Sequence, residues 1–221
     1  MPDQHCDYPA YSLPERIADG SIHALGVIGA LIGAVVLIVW TVSFGNLGQT
    51  TAVAIYGAAL IATFSASAIY HMTPVERFRP IFRRFDHAAI FLKIAGTYTP
   101  LVVMIGGFFA YGILAIVWAL ALFGIITRLF FWQTPGRFGA VLYLCMGWLS
   151  VPLIGFMIPA LPASATVLII AGGLLYTCGV GFFIWESLRF SNAIWHGFVC
   201  VASACFYGAI LLGLHSGSTP L

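Results

Sequence analysis

Charge is what this chain has least of. Only 7% of its 221 residues are Asp, Glu, Lys or Arg, against about a quarter in a soluble domain, and 61% are hydrophobic. A water-facing surface cannot be made from that composition. The net charge is only +2 and no block of Lys and Arg is interleaved with surface aromatics, as a nucleic-acid groove requires, so no nucleic-acid partner is expected. Paired cysteines are also missing. The five present are odd in number and lack C-x-x-C spacing, and Cys145, Cys178, Cys200 and Cys205 fall inside apolar segments, while Cys6 does not. The four read as small core residues rather than disulfide partners. The first twenty residues carry Asp3, Asp7, Glu15, Arg16 and Asp19 and lack the apolar run of a signal peptide, so no cleaved leader is expected. No fixed-period repeat, low-complexity tract or linker is visible, and no extramembrane segment exceeds about 25 residues, so function must reside in the apolar part.

What is present is apolar length. Stretches bounded by charge, Gly or Pro run over about 22–43, 49–71, 86–105, 109–131, 138–158, 164–185 and 193–214, each near the ~20 residues a bilayer crossing needs. The expected fold is an all-α integral membrane protein, a seven-transmembrane helix bundle. Eight of the nine basic residues, Arg16, Arg77, Arg79, Arg83, Arg84, Arg128, Arg137 and Arg189, fall on one side of it. The positive-inside rule makes that side the cytoplasm and places the N-terminus there. The division is then 1–21 as a cytoplasmic N-terminal segment, 22–214 as the transmembrane domain and 215–221 as an extracytoplasmic tail. The six tryptophans include several near span ends, Trp132 among them, as an interfacial belt would.

Ionisable groups inside apolar helices are costly and face the bundle interior or a wet cavity, which makes each a candidate site residue. His71 falls at the cytoplasmic end of the second span, and Asp86, His87, Asn192 and His196 near the cytoplasmic starts of the third and seventh. Residues distant in sequence thereby share one membrane level. Ser67 and His71 are one turn apart on a face, as are Asn192 and His196. Two His on facing helices with a carboxylate suit Zn2+ at a site where a fourth position stays open for water. Taken singly, each His also fits an interfacial residue bonded to a carbonyl. Glu15, Asp19 and His23, spaced by four, share a face over two turns of the first span. The two acids read either as helix-start residues favoured by the macrodipole or as cavity groups, and His23 as a cavity residue. His87 points about 100° away from Asp86 and reads as a supporting or interfacial group. Lys93 lies seven residues beyond Asp86, on about the same face and ~10 Å deeper, so it faces the bundle interior. Thr97, Tyr98 and Thr99 precede Pro100, where freed backbone carbonyls need donors. His5 and His215 receive no role, and Glu186 and Arg189 read as an exposed pair.

The strings Ser67-Ala68-Ile69-Tyr70-His71, Arg84-Phe85-Asp86-His87-Ala88-Ala89-Ile90-Phe91, Ala95-Gly96-Thr97-Tyr98-Thr99-Pro100 and Asn192-Ala193-Ile194-Trp195-His196 resemble the bacterial hemolysin III family. This is the prokaryotic branch of the progestin and adipoQ receptor (adiponectin receptor-like) family, within a wider group resembling alkaline ceramidases. The resemblance runs from Glu15 to about Leu214. It implies seven helices, an inside N-terminus and zinc at the cytoplasmic ends of the second, third and seventh. The family pattern, Ser-x-x-x-His, then Asp, then His-x-x-x-His, falls here on Ser67, His71, Asp86 and His196. The first His of the last pair is replaced by Asn192, and a further family His by Phe206. Asp19 stands where the family's first-helix motif has Asn.

The implied function is a zinc-binding, hydrolase-like membrane protein acting on lipid amide or ester bonds in a bacterial plasma membrane and contributing to lipid homeostasis. In it His71, His196 and Asp86 ligate Zn2+, Asp86 ligates or acts as general base, and Ser67 donates to the developing oxyanion. Asn192, His23, His87, Lys93, Asp19 and Glu15 support the site or line its cavity. The alternatives are a receptor-like regulator of bilayer composition with a structural metal and, less favoured, a pore-forming cytolysin. Membrane lipids are the partners expected, and the oligomeric state is left open.

Overall fold

A computed structural model describes residues 11–131, 136–185 and 187–218; His5, Cys6, Trp132 and Glu186 lie outside them. Its elements are α1 (Leu13–Phe44), α2 (Leu47–Met72), α3 (Arg79–Ile105), α4 (Phe108–Phe130), α5 (Gly136–Trp148), α6 (Ile154–Ala160), α7 (Ala163–Ile184) and α8 (Ser191–Ser218), with no strand among the described residues. Seven helical stretches are long and apolar enough to cross a membrane, α5 and α6 together making the fifth. The expected seven-span all-α bundle is the fold found.

Local chemistry explains where the helices begin and end. Glu15 reaches back to accept from the Ser12 N–H at 2.9 Å and its hydroxyl at 2.6 Å, which starts α1 at Leu13, ahead of the apolar run. At ~1.5 Å per residue its 32 residues exceed the ~30 Å hydrocarbon thickness, so its polar first turns fit at the membrane's edge. At the head of α2, Asn46 and Gln49 exchange backbone and side-chain hydrogen bonds of 3.0 and 3.1 Å, satisfying two helix-end N–H groups. Gly106 and Gly107, with φ of 69° and 82°, turn α3 into α4 in a conformation only glycine adopts freely.

The fifth span is broken between α5 and α6, where Pro152 follows Leu149 and Ser150 in a turn. A break inside a bilayer leaves carbonyls that must find donors. The Tyr98 hydroxyl, on α3, lies 2.8 and 2.9 Å from the carbonyls of Met146 and Gly147 and donates to them. The hydroxyls of Thr97 and Thr99 return to the carbonyls of Lys93 and Ala95 in their own helix. Of this trio, Tyr98 therefore serves the neighbouring span rather than the turn around Pro100.

Around the bundle, α1 packs on α2, α2 on α3, α3 on α4, α4 on α5, α5 on α7, α7 on α8 and α8 back on α1. Helix α3 is innermost and also meets α5, α6 and α8. Gly96 permits this, since a Cβ there would stand 2.6 Å from that of Ala59; small residues let membrane helices approach. The outer faces invert soluble logic. Leu25, Ile28, Leu31, Ile32, Val35 and Val39 of α1 are all exposed, as a surface bathed in hydrocarbon requires. Cys145, Cys178, Cys200 and Cys205 are free thiols, but they are not core residues as expected, since Cys145 and Cys178 are exposed and Cys200 and Cys205 only partly covered.

Candidate metal centre

Three helices bring the polar cluster together at the end of the bundle where α1 and α8 begin and α2 ends. From α1 come Asp19 and His23, from α2 Ser67 and His71, and from α8 Asn192 and His196. One ring nitrogen from each of His23, His71 and His196 lies within 4.8 Å of the other two. Their ring centroids are 4.3 Å apart for His23 and His196, 4.6 Å for His71 and His196, and 5.2 Å for His23 and His71. His23 and His196 are 3% and 7% exposed, so bulk water does not hold these rings in place.

Asp19 is the hub. Its Oδ1 accepts from His196 Nδ1 at 2.7 Å, and its Oδ2 accepts from the Asn192 amide at 2.8 Å. The same Oδ2 lies 3.5 Å from His23 Nε2 and 3.9 Å from His71 Nδ1. With its Nδ1–H donating to Asp19, His196 presents the Nε2 lone pair on its other side, 3.4 Å from Ser67 Oγ. A carboxylate behind an imidazole is the arrangement that fixes tautomer and raises basicity in metal-binding histidines. Asn192 Nδ2 also lies 3.1 Å from His71 Nδ1, so its amide is committed to Asp19 and His71.

These residues fit a divalent cation of zinc type. Nitrogen ligands at 2.0–2.1 Å in a tetrahedral shell stand about 3.3 Å from one another, and these three imidazoles offer nitrogens within 4.8 Å of one another. His23 Nε2 is buried and makes no hydrogen bond, an unsatisfied group that coordination would satisfy. The Asp19 carboxylate lies against all three rings and supplies negative charge.

The remaining residues surround this trio. The Asp86 carboxylate, 7% exposed, faces the Ser67 hydroxyl and lies within electrostatic range of His23 and Asp19. His87, next in sequence, lies toward Arg83 and Arg128 instead, and its carbonyl accepts from Tyr143 at 2.8 Å. Glu15 accepts from the Phe190 N–H at 3.1 Å and so ties the approach to α8 onto the start of α1. Phe190 has φ of 62°, the one positive value at a non-glycine among the described residues. A shallow cleft lined by Tyr11, Glu15, Asp19, His71, Phe190 and Asn192 opens onto the cluster. Lys93 lies apart, deeper in the bundle against Phe64 and Tyr176.

The structure thus brings Ser67, His71 and His196 together, with Asp86 beside Ser67, and puts His23 where spacing alone had suggested only a cavity wall. Two sequence signals pointed that way. Asp19 and His23 stand one turn apart on α1, Asn192 and His196 one turn apart on α8, and the two pairs face each other.

Fold and cluster together define an integral membrane helix bundle with a buried His/Asp group able to hold a metal ion. The family described as Haemolysin-III related matches residues 11–207, and the chain belongs to that family. It is 35% identical over 198 residues to "Hemolysin-3" of Bacillus cereus, covering 89% of this chain and 90% of the relative. To the "Hemolysin-3 homolog" of Bacillus subtilis (strain 168) it is 32% identical over 202 residues, covering 91% and 95%. A more distant likeness, 28% over 212 residues covering 93% and 87%, is to the human "Monocyte to macrophage differentiation factor".

Proposed function

We propose that this protein is a membrane-embedded, zinc-dependent hydrolase acting on amide or ester bonds of lipids and contributing to membrane lipid homeostasis. The observation that carries the reading is the buried His23, His71 and His196 group, placed at the bundle end where a lipid's polar linkage would enter. Bound there, zinc would supply Lewis acidity and let water ionise near neutral pH.

The chain's own residues have distinct tasks. His23, His71 and His196 hold the ion. Asp19 accepts the hydrogen bond of His196 Nδ1–H and so leaves its Nε2 lone pair for the ion, while Asn192 braces Asp19 and His71. Asp86 accepts a proton from water and passes it to the departing amine or alcohol. Ser67, between Asp86 and His196, donates to the oxygen that gains charge as the acyl carbon is attacked. The products are a carboxylic acid and the freed amine or alcohol. Arg residues at the same end support a cytoplasmic N-terminus, and the Bacillus relatives support a bacterial plasma membrane.

A second reading is favoured by one observation. Asn192, committed to Asp19 and His71, adds no strong ligand, as suits a regulator of bilayer composition in which the metal is structural. Elemental analysis of detergent-purified protein tests the site common to both, with about one zinc per chain expected and background in His71→Ala and His196→Ala. Equal zinc in all three would remove it. Incubation with labelled ceramides and other acyl lipids separates the readings. Fatty-acid release lost in Asp86→Ala supports the hydrolase, and release no higher than in that variant leaves the regulator.

A further inference from the structure

Four of the chain's nine basic residues, Arg77, Arg79, Arg83 and Arg84, fall in one short stretch between α2 and the first turns of α3, and the chemistry above uses none of them. Residues 73–85 set these four arginines against one acid, Glu76, a balance of +3 in a chain whose total is +2. The connections at the opposite end of the bundle, 45–46, 106–107 and 161–162, carry no charge. Helix chemistry does not call for this excess. Cations at the start of a helix oppose its macrodipole, which favours negative charge there.

The structure sorts the four arginines. Arg79 donates to the Thr73 carbonyl at 2.9 Å and so ties the end of α2 to the start of α3. Arg83 lies toward the interior, within electrostatic range of Asp86 and His87. Arg77 and Arg84 remain, seven positions apart on the continuous helical stretch Glu76–Ile105, and so about two turns along one face. Ile81 lies between them on that face, four positions after Arg77 and three before Arg84, and Phe78 and Phe85 border it; all three apolar side chains are exposed. Exposed Val75, Met72 and Ile69 carry the apolar surface back onto the end of α2. The Arg77 guanidinium lies over the Phe78 ring, 4.5 Å from its centroid. A guanidinium stacked by its face still presents its N–H edge as a fork.

We infer that this corner is a docking surface for an anionic phospholipid, with the phosphate held by Arg77 and Arg84 and the acyl chains laid on Phe78, Ile81 and Phe85. Depth selects a lipid. From Arg77 to Phe85 the helix advances ~12 Å, enough to pass from the headgroup region into the edge of the hydrocarbon, so one molecule can meet the charged and the apolar groups together. Charge selects the headgroup. Guanidinium forks match phosphate, and a net-positive corner favours a lipid of net negative charge over a zwitterionic one, whose ammonium it repels. The surface uses no metal and binding there needs no turnover, so it stands apart from the hydrolase reading.

The test titrates full-length protein in detergent with dioleoyl phosphatidylglycerol or dioleoyl phosphatidylcholine, and native mass spectrometry reads the lipid retained per chain. Wild type is expected to hold the first about tenfold or more tightly than the second. Arg77→Gln or Arg84→Gln alone should lower that preference about fivefold, as one basic residue beside anionic lipid is worth, and the two together should abolish it. Arg189→Gln removes an exposed charge elsewhere at the same end of the bundle and should leave the preference unchanged, and inorganic phosphate should not displace the lipid. A second measurement needs no variant. In mixed vesicles of the two lipids, a trace of photoactivatable phosphatidylglycerol should label the peptide containing residues 77–85 more heavily than a photoactivatable phosphatidylcholine does. Equal retention of the two lipids by wild type, an unchanged preference in the double variant, as large a loss in Arg189→Gln, displacement by phosphate, or equal labelling by the two photolipids would each overturn the proposal.

Discussion

Two buried polar layers of this bundle are solved in opposite ways. At the His end, Asp19, Asn192 and His196 answer one another with hydrogen bonds of 2.7 and 2.8 Å, and only His23 Nε2 is left over. Deeper in, Lys93 Nζ and Tyr56 Oη have no hydrogen-bond partner, and Lys93 rests against the rings of Phe64 and Tyr176. A satisfied network holds its members in one geometry before any ligand arrives, whereas an unsatisfied buried donor is a standing cost to the fold. The first layer is built as a preorganised centre, and the second holds polar groups that its neighbours leave without hydrogen bonds.

The strongest attack on that contrast is at the ligands. Replacing His71 or His196 by Ala should take bound zinc from about one per chain to background, because three imidazoles are the least such a site needs. Next is the hub. Asp19→Asn keeps the shape but loses the carboxylate behind His196, and should weaken zinc about 10- to 100-fold in chelator competition; unchanged affinity would mean that the 2.7 Å contact orients nothing. Third, Asn192→Ala removes the amide that bonds a carboxylate and should cost about 1.5–3 kcal/mol in detergent unfolding. Tyr98→Phe, which uncaps the broken fifth span, should cost about 1–2 kcal/mol in the same assay. The smallest effect sharpens the comparison most. Lys93→Met removes an amine without a hydrogen bond and should leave the unfolding midpoint unchanged or raise it, where any comparable truncation in the His layer lowers it.

Much of this was legible before the fold. The apolar stretches marked the seven spans because a bilayer core admits only helices or closed barrels, and their charge-poor windows admit no soluble alternative. Spacing put Ser67 with His71 and Asn192 with His196 because the helical period is rigid. The resemblance singled out Ser67, His71, Asp86 and His196, and the structure gathers them around one end. Asp19 and His23 were harder, since an acid in a helix's first turns has an ordinary explanation in the macrodipole. Nothing in the spacing says that Tyr98 serves the neighbouring span, because its partners are the carbonyls of Met146 and Gly147, 48 and 49 residues away.

By itself the sequence determined the class of protein and the helical face on which each polar group stands, since hydrophobic length and a 3.6-residue period are local properties that no partner alters. Which groups meet was decided only by tertiary structure. Asp19 is 177 residues from His196 and 173 from Asn192, and it becomes their common acceptor because α8 closes the ring against α1. A helix can carry its polar atoms in order, but whether each finds a partner depends on the rotation and approach of its neighbours. Those are set by packing across the whole bundle, and they leave Asp19 bonded and Lys93 without a hydrogen bond.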